Sequence, residues 1–575
     1  MKSIVLSCGV CGLIALSLGA AWSPHTAQAL AQRVENVDSL ATVRYESVAA
    51  ANHLALPRVA LGDSQTVTLE LTRFDVFAAD AQLVAETAQG TVALSRPPVA
   101  MFRGGIVGES DSLAFLSVSP FGTYGFVRTT NTDYVISSGS HAAPQTPRAT
   151  AIADLDAFVQ SAANSLCGNG FDVPTAPGYV APDPSTVTPR GPGLCYAIDL
   201  AIDTDTEFTA SLFGGNTQAA LAYIATLMGA ITEVYDRDVD ARFSIVYTRL
   251  WTGDDPWNQG NTLDQLFEFR DHWNLEMTGI QRHAVHYLSG RGLGGGVAYV
   301  GALCAPGFDY GLSANLAGFF PYPIVNNSHQ NWDFMVVAHE LGHNFGAPHT
   351  HSMSPAVDCC GGAFGGNCGG VQDCNDADSG TIMSYCHLCE GGMSNIRLEF
   401  HPRTIAETIA PFLDSTAQFC SLTGEPEIFS QTQSFNTCGG RTELSVAASR
   451  VAVGGFEWRR GGVPLANGGR ISGVDQPTLV IDPATAADAG VYDVVLTGAC
   501  EGSLTSNPIT LTVTSLTGDI DTSGAVNLSD LARLLSRFGV QAGATLGDGD
   551  IDGDGDVDLS DLAALLANFG VNCPG

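Results

Sequence analysis

Five residues between positions 339 and 349 have the types and spacing of a hydrolytic metal centre. They lie in His339-Glu340-Leu341-Gly342-His343-Asn344-Phe345-Gly346-Ala347-Pro348-His349. His339 and His343 are four apart, so on a helix both imidazoles leave one face toward one ion. Gly346 can adopt a backbone conformation closed to most residues, which turns His349 back as a third ligand. Three neutral imidazoles suit zinc and leave one coordination place for water, as a catalytic zinc requires. Glu340 sits beside that place and can take the proton of the water. His351 is a rival third ligand by composition, but the spacing favours His349.

Such a centre needs elements to hold it. From Leu194 the chain alternates strand-like and helix-like runs. Tyr196 to Ile202 reads as a buried strand and Asn216 to Tyr235 as an amphipathic helix capped by Asn216 or Thr217. Phe243 to Tyr247 reads as a second strand and Leu263 to Asn274 as a helix, with further strands at His283 to Leu288 and Val297 to Leu303. That alternation implies an α/β unit, which closes near Cys420. Residues 30 to about 190 instead carry alternating strand-like runs such as Thr66 to Leu71, and end in the Pro-rich stretch Pro174 to Pro192.

The motif is similar to that of the metzincin metalloproteases, whose long histidine pattern is followed by a Met-turn, here Thr381-Ile382-Met383-Ser384-Tyr385. Phe334 to Ala338 before the motif and Gly296 to Gly301 upstream resemble the adamalysin (reprolysin, ADAM-type) branch over roughly residues 195–420. Many adamalysins place Asp directly after the third histidine; here it is Thr350. The resemblance implies a zinc endopeptidase domain over 191–422, with a mixed sheet and a long zinc-binding helix. Met383 would form an apolar floor under the ligands. Tyr385 would either approach the zinc or the oxyanion, or pack as an aromatic in the turn.

The run from Phe102 to Val118 resembles a reprolysin-type propeptide, assigned to residues 30–190 as a β-rich unit. A latent protease needs its open zinc position blocked, and a thiolate can do that. Cys167 in Leu166-Cys167-Gly168 is the candidate switch, the alternative being a disulfide, for example with Cys195. Residues 1–29 read as an export signal, with Lys2, an apolar run from Ile4 to Trp22, and Ala27-Gln28-Ala29. Export suits the cysteine count: fifteen in all, two of them in the signal. Six fall between Cys359 and Cys389, an irregular stretch expected to be stapled by disulfides. There His387 sits in Cys386-His387-Leu388-Cys389, where disulfide pairing is favoured over a second metal site. Cys304 has Cys195 or Cys420 as candidate partners.

Two further units follow. Over residues 427–514, Cys438 and Cys500 bracket Trp458, and Tyr492 precedes the second cysteine, an arrangement that resembles an all-β immunoglobulin-like sandwich. The last segment, 517–575, holds ten Asp, no Glu and two Arg. Its two twelve-residue loops place oxygen ligands at Asp519, Asp521, Ser523, Asn527 and Asp530, and at Asp550, Asp552, Asp554, Asp558 and Asp561. A helix follows each loop and none precedes it, which resembles a type I dockerin, an α-helical calcium-loop module that meets a cohesin-type domain. Leu534 and Phe538 are expected to pack on Leu565 and Phe569.

Lys+Arg is 25 against Asp+Glu 59, so the chain repels phosphate backbones and nucleic acid is excluded as a partner. No apolar run of membrane-spanning length follows the signal. The combined expectation is a secreted, multidomain zinc endopeptidase acting on proteins or peptides, made as a zymogen and able to attach to a surface through its tail. The competing class is a non-catalytic adhesion or scaffold protein using the sandwich and the tail, which would have no need of Glu340.

Overall fold

A computed structural model describes residues 34–36, 39–49, 51, 53–62, 65–139, 144–151, 174–183, 195–318, 332–375, 380–422, 425–449, 451–498, 502–514 and 516–572. The export segment, Cys167, Cys500 and Cys573 lie outside the described residues.

The α/β unit is built on one seven-stranded sheet. Its strands are β1 (Phe77–Thr87), β2 (Gly90–Ala93), β3 (Tyr196–Thr204), β4 (Ala241–Trp251), β5 (Ala284–Leu288), β6 (Gly296–Ala298) and β7 (Tyr310–Ser313). Their order across the sheet is β6-β7-β5-β3-β4-β1-β2. β3 pairs in parallel with β4 and β5, β5 with β7, and β4 with β1, whereas the edge strand β6 is antiparallel to β7. β3 is buried at every residue but the half-buried Asp199, as a central strand covered on both faces must be. Helices α1 (Thr217–Val239) and α3 (Trp332–Asn344) pack on the face carrying Ile198, Leu200 and Ile245. Helix α2 (Thr262–Glu276) packs on the other, against Tyr247, Val285 and Tyr287.

Two features depart from the sequence expectation. First, β1 and β2 come from the segment read as a separate N-terminal unit, yet they extend the sheet of the α/β unit beyond β4. Second, α1 is not half-exposed. Its Asn216 cap accepts from the N–H groups of Gln218 and Ala219, but the helix is buried on nearly all sides.

The cover is an N-terminal β-barrel. Strands 53–61, 148–151, 133–137, 122–128, 113–119, 100–106 and 65–74 follow one another around it, and 65–74 pairs back onto 53–61. One wall lies on α1 so closely that a Cβ at Gly229 would sit 2.8 Å from Met101 Sδ and 3.0 Å from the Phe115 ring. Ser117 Oγ and Thr226 Oγ1 are hydrogen-bonded at 2.7 Å, and Arg103 meets Asp236 at 3.0 Å and Glu233 at 3.6 Å. Burial pushes the Glu233 carboxyl up to about 8, with Arg103 pulling the other way.

Residues 427–513 form two packed β-sheets around Trp458, Leu444, Ile481 and Val494. Tyr492 is buried and its hydroxyl donates to the Asp488 carbonyl at 2.6 Å. Cys438 is disulfide-bonded. In the tail, α4 (Leu528–Arg537) and α5 (Leu559–Ala567) bury Leu534 and Leu565 with Ile520, Val526 and Val557. Phe538 and Phe569 do not join this core: they stay 44% and 42% exposed, because each helix ends before its Phe and turns it outward.

Candidate metal centre

Helix α3 carries His339, Glu340 and His343, all buried. Its start is fixed by the Asp333 carboxylate, which accepts from the N–H groups of Ala317 and Gly318, both at 2.8 Å. Its end is fixed by Gly346 at φ +84°, a value that only glycine adopts freely, after which the chain turns back to His349. Asn344 secures the helix to the sheet edge by donating from Nδ2 to the carbonyls of Tyr299 (3.0 Å) and Tyr310 (3.1 Å).

Two imidazoles are oriented by main-chain carbonyls. His339 Nδ1 bonds to the Ile382 carbonyl and His343 Nδ1 to the Ala347 carbonyl, each at 2.7 Å. A carbonyl can only accept, so both Nδ1 atoms carry the proton and both Nε2 atoms are the unprotonated, electron-pair-donating nitrogens. Among these ligand atoms, His343 Nε2 and His349 Nε2 are 3.2 Å apart, and the three histidines form one cluster within 4.8 Å. Two nitrogens bound tetrahedrally to zinc at ~2.0–2.1 Å would be about 3.3 Å apart. The donor set and its spacing therefore fit zinc. Burial, reinforced by neighbouring imidazoles, holds His339 and His349 well below the ordinary histidine range and brings His343 down to about 4. All three are thus neutral, as metal ligands must be.

The Met-turn closes the site from below. Met383 is fully buried beneath Gly342, where any Cβ would run into its sulfur. Thr350, the residue that departs from the adamalysin pattern, links the third ligand to this turn: its N–H and Oγ1 both reach the Met383 carbonyl, at 3.1 and 3.3 Å. Tyr385 is buried with its ring 4.5 Å from that of His349. His351 stacks on His349 at 5.1 Å, outside the ligand trio, and His387 lies 6.2 Å from Trp332. The cysteines around it are bonded as Cys359–Cys368, Cys360–Cys386 and Cys374–Cys389, and Cys304 is bonded to Cys420. Cys195 is also disulfide-bonded.

Glu340 lies under the sheet edge. A Cβ at Gly296 would collide with its carboxylate, so β6 can approach the glutamate only because residue 296 has no side chain. Along this edge the odd positions face β7: Gly295 accepts from Ala314 N–H, and Tyr299 N–H donates to Tyr310. Gly296, Ala298 and Val300 consequently turn their N–H and C=O outward. Trp332, Met335 and Val336 line a small recess with Gly296, Glu340 and His387. Sequence reasoning noticed Gly296 to Gly301 as context without assigning Gly296 this contact, and it missed Asn344. The missed signal was a glycine followed by alternating apolar residues, which names an edge strand once its neighbour is known.

Residues 196–396 match the Reprolysin_5 model of metallo-peptidase family M12. The match starts at the first residue of β3 and ends beyond the Met-turn, so it spans the histidine cluster and its support. No curated protein matches the chain. Among solved structures, the chain resembles the tandem Ig repeats of Dlar at 18% identity over 16% of this chain and 49% of that one, with TM-score 0.14. It also resembles a chaperone–substrate complex (23% identity, 28% and 25% covered, TM-score 0.21) and Drosophila OTK extracellular domains 3–5 (24%, 15% and 35%, TM-score 0.13). The chain spans about half of the first of these and a quarter of the second, and likeness at that level carries no argument.

The acidic tail holds two carboxylate clusters, Asp519/Asp521/Asp530 and Asp550/Asp552/Asp561. Asn527 and Asp558 are the N-caps of α4 and α5, accepting from the N–H groups of Ser529 and Ser560. Ser523 Oγ donates to the Ala525 carbonyl at 3.4 Å, and Asp554 accepts from Asp556 N–H. No described helix is long and apolar enough to cross a membrane.

Proposed function

We propose that the chain is a secreted zinc-dependent endopeptidase, made as a zymogen and attached through a calcium-dependent tail. The observation that carries this is the placing of Glu340 between three convergent neutral imidazoles and the outward backbone of β6. Zinc held by His339, His343 and His349 supplies a Lewis acid that activates water and polarises a peptide carbonyl. A substrate backbone pairs as an added strand with Gly296 and Ala298, which lays its scissile bond over Glu340. Glu340 accepts the proton of the attacking water and returns it to the leaving amine. Its burial away from bulk water keeps that proton within the site. Tyr385 is either a donor toward developing negative charge or a packed aromatic of the turn.

The other modules are part of the same reading. Residues 1–29 direct export, and Cys167 is either the thiolate that keeps the zymogen latent or the partner of the disulfide-bonded Cys195. Trp458 buried in a two-sheet core, the disulfide at Cys438 and the Tyr492–Asp488 bond support an immunoglobulin-like sandwich over 427–514. The duplicated carboxylate clusters support two calcium sites in a dockerin-type tail that meets a cohesin-type partner.

Glu340→Ala tests the mechanism. The variant should retain near-stoichiometric zinc, because the ligands are histidines, while hydrolysis of unfolded protein falls by roughly 10²–10⁴-fold or more. Unchanged turnover would sink the reading.

A further inference from the structure

Helix α1 has no face suited to water. Every residue from Ala219 to Tyr235 is buried, and Glu233 is the only charged one among them. A helix apolar all round belongs inside a protein. One side meets α3, where the Tyr235 hydroxyl donates to the Ala338 carbonyl at 2.8 Å. The opposite side carries Thr226, Gly229 and Glu233 at spacings of three and four, and each meets the barrel: Thr226 at Ser117, Gly229 at Met101 and Phe115, Glu233 at Arg103.

The barrel is also threaded into the sheet. The chain leaves it at Phe74, adds β1 and β2 beyond β4, and re-enters it at Ala100. Phe77 and Leu83 of β1 enter the same core as Ile198 and Ile245. Ile245 N–H donates to the Val76 carbonyl at 2.6 Å and Thr252 N–H to the Glu86 carbonyl at 2.9 Å. The barrel therefore cannot leave without stripping two strands and opening β4 as a long apolar edge.

On the other flank the barrel reaches the back of the metal centre. Phe126 meets Phe334 of α3 edge-to-face at 6.4 Å. Arg128 donates to the Leu398 carbonyl and lies 3.7 Å from Glu399. The Glu399 carbonyl accepts from Ile382 N–H at 3.0 Å, and the Ile382 carbonyl is the one that orients His339.

We propose that the N-terminal barrel, with the β1–β2 hairpin inserted in it, is a permanent subunit of the peptidase, held without a covalent bond after the chain is cut, and not a cover that activation sheds. This deepens the zymogen part of the peptidase reading and rests on it: cleavage frees only what lies between Ala151 and Tyr196, and the active species is two associated chains.

The test uses the full-length chain. No cysteine occurs between residues 30 and 166, so a cut in front of Cys167 leaves only the interface to hold the barrel. A recognition site for a sequence-specific protease is inserted between residues 155 and 160. After cleavage the two pieces should co-elute in size-exclusion chromatography at about 100 nM, the scale of a stable protein interface, with hydrogen exchange across α1 within about 2-fold of the uncut chain. Arg103→Glu sets a third carboxylate beside Glu233 and Asp236. In the cut chain it should weaken the association roughly 10-fold or more. Release of the barrel from the wild-type pieces would overturn the proposal, whether the remainder stays soluble or aggregates. Equal dissociation constants for wild type and Arg103→Glu would overturn it too, by showing that the pieces merely stick. Association is read without any substrate, so its failure is distinct from that of the activity. A retained barrel on a chain that never hydrolyses peptides would refute the peptidase reading alone, and a shed barrel on an active chain would refute the retention alone.

Discussion

The histidine cluster takes its ligands from a helix and a returning loop, and groups distant in sequence hold them: Ile382 orients His339, and Met383 fastens Thr350. The acidic tail takes each carboxylate cluster from twelve consecutive residues, and its internal bonds are local. Asp530 accepts from Ile520, Asp521 and Asn527, and Asp561 from the equivalent Ile551, Asp552 and Asp558. The difference concerns what organises each site. Around the histidines, a packed core fixes three neutral groups that do not repel one another, so the site can stand without its ion. In the tail, like charges are gathered on a small core of five buried side chains, so on the proposed calcium reading neutralisation by the cation would supply much of the stability.

That contrast is broken or sharpened most directly by chelation. In the full-length chain, removal of calcium should raise hydrogen exchange across α4 and α5 by roughly 10²-fold or more, while removal of zinc leaves α3 almost as protected as before. Equal loss of protection in both regions would mean that the histidine cluster is also organised by its ion.

A second test separates chemistry from organisation within the histidine site. Gly296→Ala places a methyl group against the Glu340 carboxylate. Hydrolysis should fall roughly 10²-fold, the scale of a displaced general base, with zinc content unchanged. Wild-type turnover in this variant would show that β6 can move away from Glu340 at little cost.

A third uses pH on the zinc-free chain. His343 has its pKa lowered by burial to about 4, so its contribution to stability is present above the ordinary imidazole value and is lost as pH falls toward 4. The loss from this group is on the order of 3 kcal/mol, readable as a shift in denaturation midpoint between pH 7 and pH 4. His343→Gln should flatten that part of the profile, and saturating zinc should move the loss to lower pH. A profile insensitive to both changes would contradict the account of the cluster as a preformed neutral site.

The smallest effect concerns Thr350. Thr350→Val removes the Oγ1 bond to Met383 but keeps the main-chain bond, so a loss of about 1 kcal/mol or less is expected, with zinc affinity within a few-fold. A tenfold drop in zinc affinity would show that the hydroxyl, and not only the backbone, orients the third ligand.

Much of the site was legible because it follows from local geometry. The four-residue spacing of His339 and His343, the turn at Gly346 and the repeat spacing of the acidic loops are properties of short stretches, and local backbone rules suffice to interpret them. Strand and helix positions were legible for the same reason, although the run from Val297 to Leu303 yields a strand only as far as Ala298. Beyond it, Gly301 turns at φ +66° and the chain bonds to the end of α3.

By itself the sequence determined which residues can ligate, which can take a proton and where helices begin, because those depend on residue type and on neighbours a few positions away. Tertiary structure alone decided that β1 and β2 join the sheet of the α/β unit, and that the barrel turns an apparently amphipathic α1 into a buried helix. It also decided that Phe538 and Phe569 face outward, and that Gly296 lies over Glu340 while Thr175 bridges to Val300. Each of these depends on which distant backbone or face supplies the partner. Alternation and helical period record that a surface needs covering, but not what covers it.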